Sequence, residues 1–193
     1  TVLFQGAAVP ATSRTALQEE ATMGTDHTST ASTTEETSEE TTSHLLARTA
    51  VVVVSYAAPE LLESNLTQVC REVPEARCVV VDSFSTPKAR EATLALAREH
   101  DWTVETPDTN TGFGGGVNLG AARARAEGAE ILLLLNPDAT ISRENLIRLV
   151  SRVRAEPLTL VAPVLTNSEG RVVADRTVVC LADGSMRSPR STK

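Results

Sequence analysis

Three stretches of this chain are apolar without a break: Val51-Val-Val-Val54, Val79-Val-Val81 and Ile131-Leu-Leu-Leu-Leu135. A strand with one wet face alternates apolar and polar residues. An unbroken apolar run of this length, rich in β-branched or branched side chains, is the pattern of a strand covered on both faces. Strands of that kind belong to parallel sheets sandwiched between helices, and helical patterns duly separate the runs. Pro59 followed by Leu61, Leu62, Leu66 and Val69 predicts a helix with proline in its first turn. Ser85-Thr-Pro87 opens a second over Ala89–His100, Gly115–Glu127 forms an alanine-rich third, and Ser142 caps a fourth that carries Leu146, Leu149 and Val150 and ends before Pro157. Trp102–Glu105 is a short additional strand. This alternation predicts an α/β fold, a Rossmann-like, mostly parallel sheet flanked by helices with right-handed crossovers. Leu158–Leu165 and Arg171–Ala174, joined by Thr166–Gly170, predict a C-terminal hairpin instead of another crossover.

The apolar residues are unevenly distributed, and this divides the chain. Thr1–Gly6 looks like the remnant of an engineered protease site and is set aside from fold reasoning. Residues 7–48 are a Thr/Ser/Glu-rich tail with no apolar period, for which disorder is expected because burial there cannot offset chain entropy. Residues 49–184 are the predicted folded domain, and 185–193, polar and basic, a frayed end. The formal net charge of −7 is concentrated in the tail: residues 1–50 carry seven acids against Arg14 and Arg48, which leaves −2 for the rest. A nearly balanced domain lacks the clustered Lys and Arg of a nucleic-acid surface. No apolar run approaches the roughly 20 residues of a membrane span, and no secretory signal pattern is present, so a cytoplasmic placement is expected. Cys70, Cys78 and Cys180 lack CxxC spacing and are expected to be free thiols, neither a zinc site nor a disulfide framework. His27, His44 and His100 show no metal-ligand spacing.

In open parallel sheets ligands bind beyond the carboxyl ends of the strands, where strand order reverses. The polar residues that stand out sit at such ends: Ser55 and Tyr56, Asp82, Asn110 and Gly112, then Asn136 and Asp138. Taken alone, Asp82 either caps the segment after its strand or faces a ligand, and Tyr56 either packs on its neighbours or flanks one. Asp138, after proline, either shapes a turn or binds a metal. Gly112–Gly116 reads as a glycine-rich loop ahead of the third helix and does not match GxGxxG.

Asn110-Thr-Gly112-Phe113, a second amide at Asn118, and Leu135-Asn136-Pro137-Asp138 carry a more specific signal. Together with Val51–Tyr56 and Val79–Asp82 they resemble, over roughly residues 51–175, the donor-binding half of a family 2 glycosyltransferase of GT-A type, rhamnosyltransferase-like. The resemblance implies a GT-A fold and transfer, with inversion, of a sugar from a UDP- or dTDP-linked donor to a hydroxyl on a glycan, a lipid-linked intermediate or a small molecule. It implies that Asp82 accepts from the imide nitrogen of uracil or thymine while the Tyr56 ring flanks the base, with Ser55 a further donor-binding residue. Asn110, Gly112, Phe113 and Asn118 would serve the ribose and diphosphate, and Asn136 the ribose or the metal shell. Asp138 would hold Mg²⁺ or Mn²⁺, which neutralises the leaving diphosphate. A lipid-linked acceptor would place such an enzyme at the inner membrane surface. Ala57 and Ser83 stand where the family usually carries Asn, and the family's Gly-Glu-Asp pattern with its general base is absent from this sequence. No catalytic base is assigned. A non-catalytic nucleotide-sugar-binding or regulatory module, or another α/β nucleotide enzyme, are the alternatives.

Overall fold

A computed structural model describes residues 2–5, 42–156, 160–174, 178–179 and 186–187. The elements run β1 (Val2–Gln5), α1 (residues 42–47), β2 (Thr49–Ser55), α2 (Pro59–Leu61), a π-turn (Leu62–Leu66), α3 (Thr67–Glu72), β3 (Arg77–Asp82), α4 (Pro87–His100), β4 (Thr103–Glu105), α5 (Gly112–Ala126), β5 (Ile131–Leu135), α6 (Arg143–Ala155), β6 (Leu160–Val161), β7 (Leu165–Thr166), β8 (Val172–Ala174), β9 (Val178–Val179) and β10 (Met186–Arg187). The main sheet is ordered β4-β3-β2-β5-β1-β6. Four consecutive members, from the edge strand β4 through β3 and β2 to β5, are parallel. The chain steps outward from β2 to β3 to β4, then returns to lay β5 on the other side of β2, so strand order reverses between β2 and β5.

The apolar runs form the centre of this sheet because each side chain, on either face, finds cover. Val51, Val53, Val80 and Leu133 enter one cluster with Leu62, Leu66 and Leu146, while Val52, Val79 and Leu132 enter a second with Ala124 and Ala129 beneath α5. The first face is covered by large side chains and the second by small ones. On the second face α5 comes close enough that glycine is required: a Cβ on Gly116 would stand 2.7 Å from Val54 Cγ1, and one on Gly120 would stand 2.5 Å from Val52 Cγ1.

Several sequence expectations are corrected here. The third helix starts at Gly112, three residues earlier than expected, so the glycine run is the first turn of α5 and not a loop before it. The close approach to β2 accounts for Gly116 and Gly120. Of the segment expected to be a disordered tail, residues 42–47 are helical and Leu46 is fully buried, so the packed part begins before residue 49; residues 6–41 lie outside the described residues. Val2–Gln5, left out of fold reasoning, pairs antiparallel with β5 and with β6, which does not bear on its reading as a protease-site remnant. An apolar strand edge with open N–H and C=O groups takes an apolar segment that satisfies them. Cys70 and Cys78, expected to be free, form a disulfide: the chain reverses after Glu72 and carries the start of β3 back past α3. Cys180 lies outside the described residues. The hairpin is present, with β7 antiparallel to β8, but Leu160–Val161 leaves it to join the main sheet. In the segment expected to fray, Met186–Arg187 pairs with Val178–Val179.

Gly120→Ala should lower stability by about 1–3 kcal/mol through overpacking, in spite of the roughly 1 kcal/mol that alanine gains over glycine in an unhindered helix. Gly114→Ala, whose Cβ would meet nothing within 4 Å, should leave stability unchanged or raise it. Urea midpoints of the two variants check this.

Candidate functional site

The carboxyl ends of the parallel strands gather the polar residues that the two-sided core excludes. Ser55 and Asp82 end β2 and β3 as register partners, and the Ser83 N–H donates to the Ser55 carbonyl at 2.8 Å. Both side chains are buried. The Ser55 hydroxyl has no hydrogen-bond partner among the described residues. Asp82 Oδ2 accepts from Arg90 Nε at 2.6 Å, whereas Oδ1 accepts nothing from any described residue. Arg90 Nη2 also donates to the Pro107 carbonyl at 2.5 Å, and its Cζ lies 4.7 Å from the centre of the Phe84 ring. The guanidinium is thereby fixed from two segments, residues 82–84 and Pro107.

Asn110 organises the start of α5. Its Oδ1 accepts from the Ser83 hydroxyl at 2.9 Å and from the Gly112 N–H at 2.7 Å. It thus takes the capping role that the neighbouring Thr111 side chain does not perform. The chain turns into the helix through Gly112 at φ +68, a left-handed conformation that favours glycine. The remaining N–H groups of that first turn lack intrahelical acceptors and mark the positive end of a 15-residue helix. Phe113, Asn118 and Tyr56 are all exposed.

Across the reversal point, Asn136 and Asp138 follow β5 on an exposed turn closed by the Ala139 N–H donating to the Asn136 carbonyl at 3.1 Å. The turn is held from behind by Asn65 in the π-turn, whose Nδ2 donates to the Pro137 carbonyl at 2.9 Å. The Asp138 carboxylate makes no hydrogen bond or ion pair with any described residue, so its lone pairs are available to a ligand. Both residues line an open cavity of about 900 Å³ together with Asn65, Asn145 and the β7–β8 hairpin residues Thr166 and Val173. Ser55, Tyr56, Asp82, Asn110, Gly112, Phe113 and Asn118 lie outside that cavity. The nine residues singled out in the sequence thus fall into two groups, one at β2, β3 and α5 and one after β5. Among the described residues no three His, Cys, Asp or Glu side chains converge as a ready-made metal cage.

Arg90 and Asn65 were not foreseen from sequence. Arg90 sits eight residues beyond its partner, across a turn, and Asn65 meets Pro137 from an element distant in sequence. For Asn65 the irregular π-turn is itself a signal, but one visible only in the structure.

The profile of glycosyl transferase family 2 matches residues 50–182. The chain belongs to this family. Its fold is α/β, a mostly parallel sheet flanked by helices with an antiparallel hairpin near the C-terminal end. Solved structures similar to the chain include S. aureus TarS, 22% identical with a TM-score of 0.46, the match covering 55% of this chain and 32% of that one. TarS in complex with UDP-GlcNAc gives the same identity and TM-score, with 55% and 31% covered. The mannosyltransferase PcManGT from Pyrobaculum calidifontis, in complex with GDP-Man and Mn²⁺, is 24% identical with a TM-score of 0.48, covering 57% and 33%. The chain therefore spans about a third of the length of these structures. No curated protein matches it. No helix among the described residues is long and apolar enough to cross a membrane.

The start of α6, beyond the Asp138 turn, is fastened by Arg143. Its guanidinium donates to both Glu75 oxygens at 2.7 and 2.6 Å, and its N–H to Glu72 Oε2 at 3.2 Å. The Arg143 hydrogen bonds hold the Glu75 carboxyl below its usual value of 4.5, and Glu75 in turn raises Arg143. A carboxyl with a lowered folded pKa stabilises the fold above its unfolded pKa, and that contribution fades as pH falls through the folded value. Both partners are partly exposed, so wild type should exceed Glu75→Gln by under about 1 kcal/mol at neutral pH. Urea titrations should show this gap closing as pH drops from about 7 to about 3.

Proposed function

We propose that the chain is the donor-binding part of an inverting, metal-assisted glycosyltransferase that takes a sugar from a UDP- or dTDP-linked donor. Membership of the family supports the reaction class. The observation that carries the site assignment is the free, exposed Asp138 carboxylate at the strand-order reversal, on the same sheet edge as the Asn110-capped start of α5.

In this reading the base meets Ser55, Tyr56 and Asp82, the ribose and diphosphate run past Asn110, Gly112, Phe113 and Asn118, and Asn136 and Asp138 take the metal side. Each residue has the chemistry its role needs. The exposed Tyr56 ring offers a face to a planar base. The α5 amino end favours the diphosphate charge. Asp138 supplies one hard oxygen ligand, and the open cavity around it leaves room for diphosphate oxygens to provide others. Mg²⁺ or Mn²⁺ there would neutralise the diphosphate as it leaves. The acceptor, a glycan, lipid-linked or small-molecule hydroxyl, and the base that deprotonates it are assigned to no residue of this chain. A cytoplasmic placement, at the inner membrane surface for a lipid-linked acceptor, belongs to the same reading. We take residues 49–184, together with the helix at 42–47, as the donor domain.

Thermal unfolding with UDP and dTDP, with and without Mn²⁺, tests this reading. A ligand at a hundred times its dissociation constant adds about 2.7 kcal/mol of stability. A metal-dependent shift with UDP or dTDP is expected, and Asp138→Ala should abolish its metal dependence. A folded chain that no nucleotide shifts would overturn the assignment.

A further inference from the structure

We infer that the Cys70–Cys78 pair is a reversible thiol switch whose bridged state holds the segment around Asp138 in place. Its effect on metal and donor rests on the donor-site reading above, whereas the coupling to the segment itself does not. Asn65, Glu72 and Glu75 act on that segment through the Pro137 carbonyl and through Arg143, and are positioning residues.

The segment after β5 is gripped on both sides of Asp138 from one stretch of chain. Ahead of Asp138, the Pro137 carbonyl accepts from Asn65 Nδ2 at 2.9 Å. Beyond it, the Arg143 N–H donates to Glu72 Oε2 at 3.2 Å, and the guanidinium donates to both Glu75 oxygens at 2.7 and 2.6 Å. Asn65 lies in the π-turn, Glu72 at the end of α3 and Glu75 in the loop that follows. The bridge closes round that loop: Cys70 is in α3, Cys78 is at the start of β3, and Glu72 and Glu75 both lie between them. Of residues 71–77 only Val73 is buried. The loop thus has one apolar anchor, and the bridge is its second tie to the core.

The bridge is also within reach of a small reductant. Cys78 is buried but Cys70 is half-buried, and both line an open cavity of about 530 Å³ shared with Arg77, His100 and Trp102. A small thiol that enters as its thiolate attacks one sulfur of the bridge and displaces the other as a thiolate. A second thiol of the reductant then releases the first cysteine. The bridge has taken up two electrons and two protons, and the reductant's two thiols have become a disulfide. A disulfide of the same class reverses the exchange. In the cytoplasmic placement proposed above, protein disulfides are in most organisms transient, catalytic or redox-sensing, which fits a switch better than a permanent staple. Reduction removes the loop closure and lets Glu72 and Glu75 move with the loop, so the hold on Arg143 loosens.

Peptide mass mapping of the full chain without reductant should recover Cys70 and Cys78 in one linked peptide, and dithiothreitol should free both thiols. Hydrogen exchange then reads the coupling with no ligand present. The Ala139, Arg143, Asn145 and Leu146 amides are all hydrogen-bonded in or to this segment. They should exchange about fivefold or more faster in the reduced, desalted protein, with the amides of β2 unchanged. Calorimetric titration with UDP should show affinity in the presence of Mn²⁺ falling about fivefold on reduction, and affinity without metal staying the same. A general loss of stability weakens both alike. Cys70→Ser/Cys78→Ser should match the reduced protein and ignore dithiothreitol; if that variant does not fold, wild type in its two states gives the comparison. Absence of the linked peptide would overturn the inference, as would equal exchange in the two states or Mn²⁺-dependent UDP binding indifferent to reduction. Failure of the donor-site reading looks different: exchange around Asp138 still responds to reduction, while UDP binds in neither state.

Discussion

Burial of β2 on both faces is the constraint from which the site follows. From Ala50 to Val53 its side chains are at most 1% exposed, with one cluster above the sheet and another below. A strand in that position has no face on which to carry a polar side chain without a buried partner. Polar residues are therefore displaced to its end, where Ser55 and Tyr56 stand. The same holds for β3, which terminates in Asp82, and for β5, which is followed by Asn136 and Asp138. A row of polar groups along one sheet edge is thus the by-product of making the centre apolar, and a ligand with a base, a sugar and charged oxygens can use it.

This explains how much was legible in the sequence. Strands covered on both faces announce themselves as unbroken apolar runs, and helices capped by Ser142 or opened by Pro87 carry local signals, so β2, β3, β5, α4 and α6 were readable to within a few residues. The residues at the strand ends were readable for the same reason. The glycine run at 112–116 misled, because glycine is a breaker in local terms while here the missing side chains of Gly116 and, one turn on, Gly120 let α5 lie against Val54 and Val52. The local propensity of one segment was overridden by a contact with another. The Cys70–Cys78 bridge was hidden because eight residues spanning a helix end and a turn form no recognisable motif. The pairing of Val2–Gln5 with β5 was hidden because it depends on an edge created far along the chain.

The residues that surround the site from behind were the least legible, and they share a property. Arg90, Asn65 and the Arg143–Glu75 pair each act through a partner on another segment: Asp82 and Pro107, the Pro137 carbonyl, and the loop after α3. Arginine and asparagine on a helix read as solvated surface unless the partner is known. Their effect is to remove freedom. Asp82 is held by a guanidinium tied at other points, and the Asp138 turn is fixed through its backbone so that its carboxylate needs no protein contact to keep its place. A ligand-binding carboxylate benefits from that division, since every hydrogen bond the protein makes to it directly is one fewer for the ligand.

The two carboxylates of the edge illustrate opposite solutions. Asp82 is buried, and one of its oxygens is held by the Arg90 guanidinium. Asp138 is exposed and uncommitted, which suits a cation whose other ligands come from the substrate and from water. Exchanging the environments would fail in both places. A buried, arginine-paired Asp138 would have its charge already neutralised, and an unpaired Asp82 would leave a buried charge without compensation. The division follows from strand depth: β3 ends flush with the core beside α4, whereas the chain after β5 continues outward through Pro137 before Asp138 is reached.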